Sequence, residues 1–289
     1  MKNIDLHNHS RVSDGLLTPS ALVELAVANG VTGLALTDHD NLAGLDEAQS
    51  VATQLGLDFI PGVEVSVTWN RHTIHVVGLG VVRTTPVLQA GLATLRQGRQ
   101  DRAERIAYEL ARAGISGALE GARRHAYNPE ILARPHFARY LVEQKVARDV
   151  ATVFKRFLVK GKPGYVSHVW AELGDAVSWI RAAQGVAILA HPGRYPLSGK
   201  ELARLLDDFV EAGGRGLEVV TANHTREQID EFAHQANKRQ LLASRGSDYH
   251  GPGESRFEPG RLPPLPGHCH PVWEDSSLRN YFHPELQGV

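Results

Sequence analysis

Short apolar segments alternate with helical segments over most of this 289-residue chain. The segment "GLALT" (33–37) follows "PSALVELAVANG", in which Thr18 is the expected N-cap, Pro19 the first helical residue and Gly30 the stop signal. The same order returns in the second half, where "GVAILAHPG", "GLEVV" and "LLASRGSDYHG" are separated by helical segments. The alternation predicts an α/β protein with a parallel sheet, either closed as a barrel or doubly wound. One hairpin is expected around "WNRH".

Residues from about 85 to 165 interrupt this alternation. They contain one long predicted helix, "PVLQAGLATLRQGRQDRAERIAYELARAG", then shorter ones in "RPHFARYLVEQ" and "RDVATVFKRFL", with no convincing strand between them. We therefore predict that residues 85–165 form a helical subdomain inserted into an α/β frame built by residues 1–84 and 166–289.

Composition limits the classes of partner. The net charge is −1, so the chain lacks the broad basic surface that long nucleic acid requires, and a nucleic-acid substrate would be small or held by its end. Cys269 is the one cysteine, which excludes an intrachain disulfide and favours a reducing compartment. No apolar run approaches the ~20 residues of a membrane span and no signal-peptide pattern is present. We expect a cytoplasmic protein without membrane contact.

Histidine is abundant, with 15 residues against 31 Lys and Arg, and His, Asp and Glu recur where the predicted strands end. Ligands of parallel α/β folds bind at the carboxyl ends of the strands. Because strand residues two apart share a face, His7 and His9 point together, as do Asp248 and His250. The residues that follow this pattern are His7, His9, Asp14, Asp38, His39, Asp40, Glu64, His75, His191, Asp248 and His250.

Each of these residues also has an ordinary explanation. A single His in an apolar strand is more often a hydrogen-bonded core residue, Asp40 could cap the helical segment after it, and Glu64 could pair with an Arg. Their joint recurrence at one end of one sheet favours a metal centre, which must use imidazole and carboxylate ligands because cysteine is nearly absent.

The motifs "DLHNHS…SDG", "TDHD", "GVEVS", "HTIHVVGLG", "AHPGR" and "GSDYH" together resemble those of the PHP (polymerase and histidinol phosphatase) metal-dependent phosphoesterases. The resemblance covers nearly the whole chain, and it is strongest to the bacterial 3′,5′-nucleoside bisphosphate phosphatases, a group that includes 5′-to-3′ exoribonucleases acting on short RNA. It implies a distorted seven-stranded (β/α) barrel with three divalent metal ions, most often Mn²⁺, with Mg²⁺, Fe²⁺ or Zn²⁺ as other options.

The resemblance also implies how the ligands are shared among the three ions. The expected sets are His7, His9, Glu64 and Asp248 for the first ion, Glu64, His75 and His191 for the second, and Asp14, His39 and His250 for the third. Many family members have His where this chain has Asp14, and a carboxylate there favours Mn²⁺ or Mg²⁺ over Zn²⁺. Asp38 and Asp40 are interpreted as residues that orient His39 or cap a helix.

This centre suits phosphoester hydrolysis. Metal ions about 3.5–4 Å apart can generate hydroxide from a bridging water and neutralise the phosphoryl oxygens. The predicted reaction converts nucleoside 3′,5′-bisphosphates to 5′-monophosphates and trims short 5′-phosphorylated RNA or DNA from the 5′ end. His250, or a water on the third ion beside Asp14 and His39, would protonate the leaving oxygen.

Substrate recognition is expected in the insert. Arg99 and Arg102 lie on the apolar stripe of the long helix, and a guanidinium there needs an anion, either a substrate phosphate or a nearby carboxylate. Arg134 stands at the N-terminus of the helix that Pro135 starts, and His136 can join it; the alternative is a simple helix start. The predicted substrate-binding residues are Arg99, Arg102, Arg134, Pro135, His136 and His250.

Three other functions stay open at this point. The first is another PHP phosphatase, such as a histidinol-phosphate phosphatase, against which the long Arg-bearing insert and Asp14 argue. The second is a non-catalytic PHP scaffold domain, which would have lost several ligands, whereas all nine are present here. The third is a surface-acting nucleic-acid binder, which the near-neutral charge disfavours.

Overall fold

The computed structural model describes residues 2–282, in which eight strands form one sheet. The strands are β1 (Ile4–Asp5), β2 (Gly33–Leu36), β3 (Asp58–Trp69), β4 (His72–Leu79), β5 (Ala171–Glu172), β6 (Val186–Leu189), β7 (Gly216–Thr221) and β8 (Leu242–Gly246). The order in the sheet is β1-β2-β3-β4-β6-β7-β8, and β5 pairs in parallel with the end of β3.

The first and last strands of this path meet. The Leu6 N–H donates to the Arg245 carbonyl at 2.9 Å, and the Asp248 N–H donates to the His7 carbonyl at 2.8 Å. These bonds close the seven strands of the path into a barrel-shaped sheet, which confirms the predicted α/β barrel.

One strand runs against the others. β4 is antiparallel to both β3 and β6, whereas the remaining neighbours are parallel. Asn70 and Arg71 form the two-residue turn between β3 and β4, and both have positive φ (44° and 66°), as tight hairpin turns require. The hairpin expected around "WNRH" is therefore confirmed, and it accounts for the distortion of an otherwise parallel barrel.

The helices are α1 (Pro19–Ala28), α2 (Leu45–Leu55), α3 (Pro86–Arg112), α4 (Ala118–His125), α5 (Arg134–Glu143), α6 (Val150–Val153), α7 (Leu173–Ala182), α8 (Gly199–Glu211), α9 (Arg226–Lys238) and α10 (Arg279–Phe282). The Thr18 side chain accepts from the Ala21 N–H, and Ser198 and Glu201 form a capping box, so these predicted helix starts are confirmed. Between residues 2 and 282, no helix combines the length and apolarity needed to cross a bilayer.

The inserted helices α3 to α6 follow one another without a strand, as predicted. They surround a second apolar core, but α3 belongs to both cores. Its first half buries Leu88, Leu92 and Leu95 against the barrel helices and sheet, and its second half buries Ile106 and Leu110 in the core of the insert. The domain division at residues 85 and 165 stays a prediction, and residues 283–289 of its last part lie outside the described residues.

Candidate metal centre and cleft

The predicted ligands converge at one end of the barrel. His7 and His9 follow β1, His39 follows β2, Glu64 lies within β3 and His75 within β4; His191 follows β6, and Asp248 and His250 follow β8. Two isolated bridges hold these segments in register, one joining Asn8 to Tyr249 and one joining His39 to Glu64. The fold thus brings together side chains from segments more than 200 residues apart.

Glu64 is at the centre of this cluster and is fully buried. Its Oε1 lies 2.8 Å from His75 Nδ1 and 2.9 Å from His191 Nε2. Its Oε2 lies 3.0 Å from His39 Nδ1, and within 3.3 Å of an Nε2 atom of both His7 and His9. One carboxylate therefore contacts five imidazoles.

Three groups of side chains have ligand atoms within 4.8 Å of one another: His7, His9, Glu64 and Asp248; His9, Asp14, His39 and His250; and His39, Glu64 and His75. The first group has the same members as the set expected for the first ion. The second adds His9 to the set expected for the third ion. In the third group His39 accompanies Glu64 and His75, and His191 Nε2 lies 3.3 Å from His75 Nδ1.

The chemistry of the buried atoms fits a metal centre. Several ligand atoms are inaccessible to solvent and make no hydrogen bond within residues 2–282: His7 Nε2, His9 Nε2, His39 Nδ1 and Glu64 Oε2. A buried polar atom without a partner costs about 1–3 kcal/mol. Divalent cations bound among these imidazole and carboxylate atoms would satisfy them.

The charges of the cluster stabilise one another. Burial alone would lower the pKa of His9, but Asp248 and Glu64 raise it to about 10. Burial alone would raise the pKa of Glu64, but His75, His39 and His7 hold it well below its usual range. Glu64 is thus ionised and His9 carries a proton, which a bound cation would displace.

Two carboxylates lie just outside the ligands. Asp38 accepts from the Ser10 N–H at 2.8 Å and from the Ser13 hydroxyl, and so holds the loop that carries Asp14. Asp40 accepts from the Ser66 N–H at 2.8 Å. The interpretation of Asp40 as a helix cap is wrong, because α2 begins only at Leu45.

Glu218, in the middle of β7, is a buried residue of the centre that the sequence reading missed. Its Oε1 lies 3.1 Å from His7 Nδ1, and its Oε2 accepts from the His191 N–H at 2.6 Å. A charged residue inside the apolar segment "GLEVV" is the signal that could have identified it.

A cleft of about 540 Å³ lies over the cluster, between the barrel and the insert. Its acidic lining residues are the ligands Asp14, Glu64 and Asp248. Its basic lining residues, apart from histidines, are Arg71, Arg99, Arg102, Arg134, Lys160 and Arg194. The metal ligands come from the barrel, and most of the cations come from the insert. Arg71 and Arg194 belong to the barrel, where Arg194 pairs with Asp248.

The cleft arginines differ in their partners. Arg99 is 4% exposed and contacts Asp40 at 2.6 Å, which is the carboxylate partner that the alternative reading required. Arg102 donates from Nε to the Val166 carbonyl at 3.2 Å, and Arg134 donates to the Leu158 carbonyl. Among the described residues, neither Arg102 nor Arg134 has a carboxylate partner. Burial, with the charges of Arg134 and Arg99, lowers the pKa of Arg102 to about 9.

Of the remaining predicted substrate-binding residues, two line the cleft and one does not. Pro135 and His250 line the cleft. The structure does not bring His136 there: the side chain is 1% exposed, and its Nδ1 accepts from the Ala133 N–H at 3.1 Å. His136 thus stabilises the start of α5. Its ring does not reach the cleft, where a phosphate contact was expected.

A sequence profile of the PHP domain matches residues 5–180. The chain belongs to the PHP-domain family. It is 48% identical to a 3′,5′-nucleoside bisphosphate phosphatase of Chromobacterium violaceum over 96% of this chain and 98% of that protein. It is 43% identical to the 5′-3′ exoribonuclease Rnm of Escherichia coli over 93% of this chain and 92% of that one.

Solved structures share the fold. An amidohydrolase from Chromobacterium violaceum, with bound sulfate and no metal, superposes with a TM-score of 0.93 at 48% identity and covers 96% of each chain. A protein of Bifidobacterium adolescentis described as a metal-dependent phosphoesterase superposes with a TM-score of 0.80 at 26% identity, over 96% of this chain and 94% of that one.

Proposed function

We propose that this protein is a metal-dependent phosphoesterase that hydrolyses the 3′-phosphate of nucleoside 3′,5′-bisphosphates to leave the 5′-monophosphate. The observation that carries the proposal is the pairing, in one cleft, of a ligand cluster with two half-buried guanidiniums, those of Arg102 and Arg134, that have no carboxylate partner within residues 2–282. Such a cleft suits a substrate with two phosphates. The similarity to a 3′,5′-nucleoside bisphosphate phosphatase supports it.

The proposed cofactors are three divalent ions, with Mn²⁺ as the first choice and Mg²⁺, Fe²⁺ or Zn²⁺ as alternatives. Their proposed ligands are the nine His, Asp and Glu residues of the cluster. When bound, such ions would supply a water of lowered pKa and neutralise charge on the phosphoryl oxygens. The chain itself supplies the ligand geometry and the cleft over it.

His250 is the proposed residue at the leaving oxygen. Its Nδ1 lies 2.9 Å from the Asp248 carbonyl, so that nitrogen is the donor. Its Nε2 lies 3.4 Å from Asp14 Oδ1 and faces the cleft. This Nε2 either completes the third ligand set with Asp14 and His39 or carries the proton that the leaving oxygen takes.

Arg102 and Arg134 are the proposed partners of the 5′-phosphate. Pro135 follows Arg134 in the first turn of α5 and lines the cleft beside it. Arg99 contributes indirectly, because its guanidinium is bound to Asp40 and Ser66. We propose that Arg99 stabilises the wall of the cleft through these bonds and does not bind the phosphate.

The same geometry accommodates the 5′ end of a short nucleic acid. A terminal 5′-phosphate held by the arginines would place the next phosphodiester over the ligand cluster, so that the first nucleotide is released. The similarity to 5′-3′ exoribonucleases supports this second substrate class. The lone cysteine supports a reducing compartment such as the cytoplasm, and the net charge of −1 does not favour long duplexes.

A substrate panel with added Mn²⁺ tests the proposal. The panel contains adenosine 3′,5′-bisphosphate, histidinol phosphate, and short RNA with either a 5′-phosphate or a 5′-hydroxyl. We expect turnover of the bisphosphate and of the 5′-phosphorylated RNA, with poor turnover of the other two. Preference for histidinol phosphate would indicate the other PHP phosphatase class, and no turnover of any compound would indicate a scaffold domain.

A further inference from the structure

Glu218 lies behind the ligands and does not line the cleft, so it has no direct route to substrate. It is 2% exposed. Its two carboxylate oxygens have different partners, the imidazole of His7 and the backbone of His191. These two residues belong to different ligand sets.

The contact with His7 selects one tautomer of the ring. Carboxylate oxygens only accept, so His7 Nδ1 must carry a proton where it faces Glu218 Oε1. The other nitrogen, Nε2, points to the cluster, 3.3 Å from Glu64 Oε2 and 3.5 Å from Asp248 Oδ1. A ring protonated on Nδ1 offers its Nε2 lone pair to a metal.

The contact with His191 stabilises an uncommon backbone conformation. His191 has φ +26° and ψ +59°, in a region that non-glycine residues rarely adopt. The 2.6 Å bond from its N–H to Glu218 Oε2 holds this turn, and the turn directs its Nε2 to Glu64. The carboxylate thus fixes a second ligand through its main chain.

The neighbouring strand makes room for this arrangement. The pairing of β7 with β8 shifts register between Glu218 and Val220, next to Gly246. A Cβ at Gly246 would lie 2.8 Å from Glu218 Oε1 and 2.2 Å from His7 Cβ. Only glycine permits the close approach of β8 that leaves the carboxylate and the imidazole together.

We propose that Glu218 is a positioning residue that couples the first and second ligand sets through one carboxylate. The proposal rests on the metal centre of the proposed function. Glutamine at this position has the same size but a single acceptor atom. If its oxygen keeps the His191 N–H, its amide N–H₂ faces His7 Nδ1, and the ring must then move its proton to Nε2, the metal-binding atom.

Mn²⁺ binding measured by calorimetry without substrate tests this directly. We expect Glu218→Gln to weaken Mn²⁺ affinity by about 10- to 100-fold, as for other residues that support metal ligands. The kcat at limiting Mn²⁺ falls with it, KM changes less than twofold, and excess Mn²⁺ restores part of kcat. Asp275→Asn is the matched control, a buried carboxylate that pairs with Arg215 away from the cleft, and its Mn²⁺ affinity stays unchanged.

Equal Mn²⁺ affinity in the wild type and Glu218→Gln would overturn the role of Glu218, as would a change confined to KM. Absence of Mn²⁺ binding by the wild type would instead refute the metal centre itself. A second measurement covers the case in which the variant does not fold. In the Zn²⁺-loaded wild type, long-range ¹H–¹⁵N NMR should show His7 protonated on Nδ1, and a proton on Nε2 would overturn the proposal.

Discussion

The two walls of the cleft differ in how their charged side chains are paired. On the barrel wall, the ionised side chains have partners of opposite charge within the same wall, and one carboxylate, Glu64, contacts five imidazoles. On the insert wall, Arg102 and Arg134 donate to backbone carbonyls and lie over aromatic rings. Neither pairs with a carboxylate within residues 2–282. The barrel wall is arranged for cations that share its carboxylates, whereas the insert wall leaves positive charge for an incoming anion. The four changes below test this contrast.

The largest effect is expected for Glu64→Gln. Loss of the shared carboxylate should remove several kcal/mol of charge stabilisation, so kcat for adenosine 3′,5′-bisphosphate falls by about 1000-fold and the Mn²⁺ content falls with it. Steady-state kinetics and elemental analysis check both values. Glu211→Gln, on the exposed surface of α8, should leave both unchanged. Full activity in Glu64→Gln would contradict the assignment of the cluster.

Arg99→Met should lower the free energy of unfolding. It removes the partner of the buried Asp40 carboxylate, and breaking a buried pair costs about 3–5 kcal/mol. Urea unfolding of the metal-free protein measures the loss, with Arg112→Met on the exposed face of the same helix as the control. If stability is kept and KM for the bisphosphate rises instead, Arg99 belongs functionally with Arg102.

Arg102→Met and Arg134→Met should act on substrate binding. Each removes a charge-assisted contact to the 5′-phosphate worth about 1.5–3 kcal/mol, which corresponds to roughly 10- to 100-fold in KM. A nucleoside 3′-monophosphate, which lacks the 5′-phosphate, should show no such change in either variant. An equal loss for both substrates would mean that these arginines do not recognise the 5′-phosphate.

The smallest effect concerns the free energy of unfolding of Arg102→Met. Since burial and neighbouring arginines lower the pKa of Arg102 to about 9, its charge opposes folding when no anion is bound. The variant should therefore be more stable than the wild type by about 1 kcal/mol in phosphate-free buffer. Thermal unfolding measures this, and inorganic phosphate should stabilise the wild type more than the variant. A less stable variant would show that Arg102 already has a sufficient partner.

The α/β alternation and the candidate ligands at strand ends could be predicted from sequence because both signals are local, whereas the choice of a barrel and the division of the ligands rested on the family resemblance. The spacing of two residues predicts that His7 and His9 point together, and strand ends repeat the same residue types, although both histidines lie just after β1 in the structure. The partners of single charges could not be read in this way. Asp40 and Arg99 are 59 positions apart in the sequence, and His7 and Glu218 are 211 positions apart. No local pattern encodes either contact. The contact of His136 could not be predicted, because the sequence pattern of a helix start does not reveal whether a ring faces solvent or the backbone of the helix.

Helix α3 has 27 residues, so it extends about 40 Å, and its two halves complete different hydrophobic cores. If the insert unfolded or detached, the barrel core would also lose Leu88, Leu92 and Leu95. Both parts should therefore unfold in one cooperative transition. In evolutionary terms, the insert is not a module that can be gained or lost at a loop. A descendant that discarded it would need to rebuild one side of the barrel first.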